Sequence, residues 1–343
     1  MRRLGNRPGP PEARPGAPTL EHVARAAGVS TATISRVINS PERVAPETRE
    51  KVRAAIAATG YVPNLLAGGL ASNRSRLVAA LVPGIAASLF NETIEAMTQA
   101  LAAAGYLVVL GLTRGGPAEM DATITSLLAR RPDGLILTSA ERSAKVRKRL
   151  REAAVTVIET WDLPARPIDV AIGFSHTAAG RALAEFVLAS GRRRPLVITS
   201  NLPRALARLE GFRAVLRERG LPEPACDMRS VDSFSINGRE RLAAHLDAGG
   251  RPDVVVCTSD LVALGVLAEA SRRGLRVPED LAVIGFGASE AGAVAWPALT
   301  TVRIDGAEIG RQAAEVLIGR AQGREPTRRR IDVGFEIVAR DSA

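Results

Sequence analysis

A chain of 343 residues that is 46% hydrophobic and 24% charged has the make-up of a globular protein of two or three domains. Its longest apolar stretch, Leu77 to Phe90, is broken by Pro83 and Gly84 and is too short to span a bilayer, so no membrane partner is expected. The two cysteines, Cys226 and Cys257, make no disulfide framework and point to a reducing, cytoplasmic setting. The net charge of +10 is unevenly placed: residues 1–76 carry 12 Lys+Arg against 5 Asp+Glu, the rest 34 against 31. A small basic head on a near-neutral body is the electrostatic footprint of a nucleic-acid-binding module.

Residues 1–18 hold five prolines, three glycines and four arginines without an apolar run, and read as a disordered tail rather than a signal peptide. Thr19 then caps a short helix to Ala27, with Leu20, Val23, Ala24 and Ala27 on one face. Gly28 ends it, and Ser30 caps a second helix, Thr31 to Ile38, whose inward face is Ile34, Val37 and Ile38. A third amphipathic helix runs from Pro46 to Thr59 and is closed by Gly60. Two short helices joined by a glycine turn make a helix-turn-helix, with Thr31, Ala32 and Arg36 outward near the start of the second helix. Arg36 can bond a guanine bidentately or a phosphate; Thr31 and Ala32 can meet base edges or thymine methyls.

The run TLEHVARAAGVSTATISRVINSPERVAPETREKVRAAIAATGYVPNLLAGGLAS resembles the lambda-repressor-like headpiece of the LacI/GalR family along its whole length. The resemblance implies that Thr31, Ala32 and Arg36 read the major groove, while Ser30, Thr33, Ser35, Asn39 and Tyr61 position phosphates. It further implies a hinge helix, Asn64 to Ala71, that folds on operator DNA. There Leu70 of each subunit of a homodimer would wedge into a central CpG step of the minor groove. Gly68 and Gly69 inside that segment each cost roughly 1 kcal/mol of helix propensity, which suits either a hinge that orders on binding or a plain linker.

From Leu77 onward short strand-like runs (Leu77–Val82, Leu107–Leu112, Gly134–Thr138, Val155–Glu159, Val170–Phe174, Leu196–Thr199, Val254–Thr258, Leu281–Phe286) alternate with helical stretches. Such alternation means parallel sheets with helices on both faces, and the strand count suits two sheets with a crossover near Gly173–Ser175. Ligands in such folds bind at the carboxyl ends of strands, here between two lobes. The landmarks RRPDGLILT, GFSHTAAGR, RLEGFRAVL, CTSDLVALGVL, GLRVPEDLAVIGF and PALTTVRID resemble the type I periplasmic-binding-protein fold that the family uses as its sensor. The expected architecture is therefore α/β: headpiece 19–63, hinge and linker 64–76, and a sensing and dimerisation domain 77–343. Its first lobe is expected at about 77–173 with 300–318, and its second at 174–299 with 319–343.

Candidate effector ligands stand at strand ends and helix starts. Arg208, opening a helix with Leu209, Phe212, Val215 and Leu216 inward, matches the arginine that grips ligand oxygens across the family. Glu159 matches an acidic ligand position, and Asp260 reads as a hydroxyl ligand or as a cap of the helix from Leu261. Phe90, Trp161 and Phe174 would supply apolar walls, though Trp161 also reads as ordinary core. Where neutral-sugar sensors carry Asn-Asp after this strand, the chain has Ser259-Asp260; where they carry a second aspartate it has Gly287. The loss of a carboxylate suits an acidic ligand, or merely makes room. Since WDLPARPIDVAIGFSHTAAGR and RIDVGFEIVAR resemble the gluconate-repressor branch, a sugar acid such as gluconate is expected, held by Arg208 and Arg303.

An enzyme is disfavoured: there is no GxxxxGK[ST], HExxH or GxGxxG, and Gly287-Ala288-Ser289-Glu290-Ala291 lacks the second glycine of a nucleophile elbow. No cofactor or metal is expected, because His22, His176 and His245 are scattered, and His176 reads as structural. A transporter's solute-binding protein shares the sensor fold but not the basic head. A co-repressing ligand, which would tighten DNA binding, stays open beside an inducing one. The expected regulator acts in the cytoplasm, at the nucleoid through its operator.

Overall fold

The computed structural model describes residues 18–63, 75–84, 88–113, 117–138, 143–153, 155–229 and 236–343. The hinge segment, with Asn64 and Leu70, and the side chain of Asn39 lie outside them. The chain divides into two compact units, one ending at Ser75 and the other running from Arg76 to Ala343.

The first unit is three helices, α1 (Leu20–Ala27), α2 (Thr31–Asn39) and α3 (Pro46–Thr59), with a 3-10 turn at Pro41–Arg43. Gly28 adopts φ 66°, a left-handed conformation open to glycine at little cost, and this closes α1 and aims the chain into α2. Val23, Ala24, Ile34, Val37, Val52 and Ala55 form its buried core, with Tyr61 packed against it. So small a core is marginal, and caps contribute a real share: Ser30 Oγ accepts from Thr33 N at 3.2 Å, a bond worth about 1 kcal/mol.

The second unit holds two parallel sheets. In the first, β1 (Leu77–Val82), β2 (Leu107–Leu112), β3 (Gly134–Leu137), β4 (Thr156–Thr160), β5 (Val170–Gly173) and β11 (Arg330–Asp332) lie in the order β11-β5-β4-β3-β1-β2. The second contains β6 (Pro195–Ser200), β7 (Ala225–Arg229), β8 (Val254–Cys257) and β9 (Ala282–Ile284), ordered β7-β6-β8-β9. Between the lobes the antiparallel pair of β10 (Thr301–Arg303) and β12 (Glu336–Val338) carries the chain across, with Val302 facing Ile337.

The sequence-based lobe boundaries need a correction here. Residues 319–343 do not belong to the second lobe as a block: β11 pairs in parallel with β5, Ile331 beside Ile172, inside the first-lobe sheet. The chain therefore returns to the first lobe before β12, a step hidden in sequence because the strand is three residues long and mostly exposed.

The helices of the second unit are α4 (Asn91–Ala103), α5 (Pro117–Leu128), α6 (Ala144–Glu152), α7 (His176–Ala189), α8 (Pro203–Glu218), α9 (Ile236–Asp247), α10 (Asp260–Arg272), the short α11 (Glu290–Ala293) and α12 (Gly306–Ala321). Several central strands are apolar throughout, for example Val254–Cys257 buried at every position, because both faces are covered. Cys257 is accordingly a buried core thiol, and burial pushes its pKa upward. One contact fixes how α7 meets α8. A Cβ on Gly180 would lie 1.9 Å from the carbonyl oxygen of Arg208, so the two backbones touch where a larger residue would separate them.

Candidate functional site: a DNA-facing helix and an arginine between two lobes

In the headpiece the residues expected at DNA share one side of α2. Ser30, Thr31, Ala32, Ser35 and Arg36 are exposed while Ile34 and Val37 of the same helix are buried. Thr33 is half-buried, and its hydroxyl lies 2.9 Å from that of Ser30, which stiffens the start of the helix. Tyr61 is half-buried against the core rather than free in solvent. This arrangement follows from helical periodicity: the apolar residues at 34, 37 and 38 claim one face and leave 31, 32, 35 and 36 outward.

In the sensor, Arg208 sits in the second turn of α8, held by neutral acceptors. Its Nη1 donates to His176 Nδ1 at 3.0 Å, and its Nη2 to Thr258 Oγ1 at 2.9 Å and Thr258 O at 3.4 Å. The guanidinium carbon stands 4.1 Å from the centre of the Phe286 ring, a cation–π contact. Burial first, and the neighbouring Arg204 second, push its pKa down to about 9, which leaves it a cation at neutral pH. Among the described residues no carboxylate offsets either effect.

Arg204, one turn earlier, reaches the first lobe. It donates to the carbonyl of Thr138, just past β3, and its guanidinium lies 5.7 Å from the Phe90 ring centre. Neither Arg204 nor Phe286 stood out in the sequence. An arginine in a first helical turn looks like an ordinary solvated charge, and Phe286 looks like the last residue of a buried strand.

The three expected aromatics do come together, as a buried cluster. Phe90 and Trp161 meet edge to face at 5.1 Å, Trp161 and Phe174 at 6.3 Å, and Phe174 continues to Phe286 at 6.1 Å. Trp161 and Phe174 are 2% and 0% exposed, so they are buried core rather than an open wall.

Four other candidates are already engaged. Glu159 shares the strand face of Val157, which packs under α6; its carboxylate accepts from Ile168 N at 2.6 Å and pairs with Arg147 at 3.5 Å. Asp260 is buried and accepts from Ser289 N at 2.5 Å and from Thr301 Oγ1 at 2.6 Å, tying α10 to the crossover strand. The cap of α10 is Ser259 instead, whose Oγ accepts from Val262 N at 3.4 Å. Arg303 is a correction: its side chain is 60% exposed and ion-paired with Glu336 on the neighbouring strand, so it does not join Arg208. Gly287 has φ 123°, and a Cβ there would come within 2.8 Å of Leu89 in the first lobe. The missing aspartate therefore also has a conformational reading, since a φ of 123° is strained for any residue with a side chain.

A helix-turn-helix head joined to a two-lobed, parallel-sheet unit is the architecture of a DNA-binding regulator. The family of bacterial regulatory proteins, lacI family, matches residues 19–64, and the periplasmic-binding-protein-like domain matches residues 184–343. The chain is 39% identical to the HTH-type transcriptional regulator GntR of Pseudomonas aeruginosa over 95% of its own length and 96% of the relative's. A LacI-family transcriptional regulator from Silicibacter pomeroyi superposes with a TM-score of 0.88 at 33% identity, covering 94% of this chain and 98% of that one. The lac repressor dimer bound to operator and the anti-inducer ONPF superposes with a TM-score of 0.83 at 27% identity, covering 95% and 99%. The chain belongs to the LacI family of bacterial transcriptional regulators, in its gluconate-repressor branch. Among the described residues no helix is long and apolar enough to cross a membrane.

Proposed function

We propose that the chain is a repressor that binds a near-palindromic, CpG-centred operator as a homodimer and is released by a sugar acid such as gluconate. The observation that carries the effector class is Arg208, a desolvated guanidinium whose hydrogen-bond partners are a neutral imidazole and a threonine. Among the described residues no carboxylate pairs with this half-buried cation, and an anionic ligand relieves the cost of its desolvation where a neutral one does not. Arg204 adds a second positive charge beside it. The relative named GntR at 39% identity supports the same branch, and the operator-bound lac repressor dimer supports a dimer on DNA.

Thr31, Ala32 and Arg36 would read bases; Ser30, Thr33, Ser35, Asn39 and Tyr61 would fix the phosphate register, and Asn64 and Leu70 would act at the hinge. Arg208 would take the carboxylate, with Ser259, next in sequence to its partner Thr258, offered to a hydroxyl. The test is fluorescence anisotropy of the full chain on palindromic duplexes with and without a central CpG, across a salt series, with gluconate, other sugar acids and neutral sugars added in turn. Specific binding with a steep salt slope, reversed by sugar acids alone, is the expected result. Specific binding that no sugar acid reverses would refute the effector, and salt-sensitive binding without sequence preference would refute the operator.

A further inference from the structure

His176 is the first residue of α7, where the chain has just crossed from β5 into the second lobe, and it is buried. Its two ring nitrogens face opposite lobes. Nδ1 meets Arg208 Nη1 at 3.0 Å, and Nε2 meets the carbonyl oxygen of Trp161 at 2.9 Å. The chemistry of these partners leaves one tautomer. A guanidinium can only donate, so Nδ1 must accept; a carbonyl can only accept, so Nε2 must carry the proton and donate. Protonating Nδ1 would break the first bond and set two cations against each other. In keeping with this, burial and then Arg208 and Arg204 hold the imidazole neutral, with a pKa pushed down to about 2.

The line of bonds runs on into the first lobe. Trp161 follows β4 in a left-handed conformation, φ 65°, unusual for a bulky residue, and this turns its carbonyl toward His176. Its indole N–H donates to Thr93 Oγ1 at 3.0 Å, and that hydroxyl donates to Gly306 O at 2.7 Å. Thr93 lies on α4 and Gly306 starts α12, the helix pair of the first lobe. Arg208, His176, Trp161, Thr93 and Gly306 thus form an unbroken hydrogen-bonded path from the cation of one lobe to two helices of the other.

We infer that His176 is the positioning residue of the effector site: its fixed tautomer holds the Arg208 guanidinium and makes the pose of that cation depend on Trp161 in the first lobe. The role in effector response rests on the proposal that Arg208 takes the effector's carboxylate; the coupling of Arg208 to Trp161 through His176 does not. An anion that draws Arg208 away from Nδ1 loosens the imidazole and so the Trp161 carbonyl, and the first lobe senses the change.

The test uses the full chain carrying Trp296→Phe, which leaves Trp161 as its single tryptophan, since Trp296 is the other and is exposed. Without ligand, Arg208→Met should shift Trp161 emission while His176 is present, and should shift it no further once His176→Leu is also present. His176→Gln, which keeps an acceptor and a donor, should restore the dependence. An Arg208→Met shift of equal size in both backgrounds would overturn the inference whether or not gluconate is the effector. In the second arm, His176→Leu should raise the half-maximal gluconate concentration roughly tenfold, the loss expected for one charge-assisted hydrogen bond, and His176→Gln should recover most of it. His176→Leu responding to gluconate like its parent would also overturn the inference. A parent chain that ignores gluconate would instead refute the sugar-acid proposal, and the ligand-free arm would still decide the role of His176.

Discussion

Gly180 offers a substitution whose sign depends on two opposing magnitudes. It lies inside α7, where alanine is favoured over glycine by about 1 kcal/mol, so helix propensity alone predicts a more stable protein. Across the α7–α8 contact, however, a Cβ would stand 1.9 Å from Arg208 O and 2.8 Å from Arg208 C, and Gly211 of α8 makes the reciprocal approach, 2.1 Å from Thr177 O. These are backbone atoms and cannot rotate aside. To reach ordinary contact the helices must part by roughly 1.5 Å, which also loosens the buried Leu183, Val187, Leu209 and Phe212 around them. Overpacking of a tight interior costs about 1–3 kcal/mol, and a rigid backbone puts this site at the upper end. Gly180→Ala should therefore destabilise the sensor by a net amount of about 1–2 kcal/mol and displace Arg208 with its helix. Urea unfolding followed by tryptophan emission reads the second unit alone, because Trp161 and Trp296 both belong to it. The matched control is Gly319→Ala in α12, where the nearest atom is 3.8 Å away and the substitution should raise the midpoint. A Gly180→Ala midpoint at or above the wild type, or an equal drop in both variants, would refute the reasoning.

Ser30→Ala removes the cap of α2 and should cost the headpiece about 1 kcal/mol, seen as faster hydrogen exchange of the α2 amides in the full chain. Asp260→Ala leaves the Ser289 N–H and the Thr301 hydroxyl without their acceptor in a buried site, so the unfolding midpoint should fall by the equivalent of about 1–3 kcal/mol. Glu269, on α10, is buried and hydrogen-bonded by Arg272 and Arg273, with Arg239 at 3.4 Å; bonding from Arg272 foremost holds its pKa at about 2. A depressed carboxylate pKa contributes stability that is complete above the ordinary value of 4.5 and is lost as the pH falls toward 2. The wild-type midpoint should thus fall more steeply across that window than that of Glu269→Gln, and parallel curves would show that this ion cluster contributes nothing to acid sensitivity.

Much of the fold was legible in the sequence because local chemistry and tertiary demand agree. Ser30 and Gly28 mark the ends of helices that the structure draws at those points, and the apolar runs at residues 77–82, 170–173 and 254–257 are central strands covered on both faces. The strand Ala225–Arg229 escaped notice because it lies at a sheet edge with a largely exposed, polar sequence, and β11 escaped because pairing with β5, not its own pattern, makes it a strand. In the candidate site, Arg208 was singled out from its place near the start of a helix and from the family resemblance. The partners that give it meaning were not: His176, Phe286 and Thr258 come from three separate segments and converge only in the fold. Asp260 reads as a cap because it precedes a helix, yet Ser259 performs that task and releases the carboxylate to hold Ser289 and Thr301. Arg303 fails for the converse reason, since strand pairing sets it beside Glu336 and that carboxylate takes up its charge.

If Arg208 is where the effector's carboxylate enters, operator release must depend both on that carboxylate and on that cation. Gluconate and sorbitol share a six-carbon hydroxylated chain and differ at the carboxylate, so the direct measurement is operator release by each, from wild type and from Arg208→Met. The expected result is release of the wild type by gluconate, none by sorbitol, and none from Arg208→Met by either. Equal release by sorbitol, or a gluconate response in Arg208→Met matching the wild type, would contradict it.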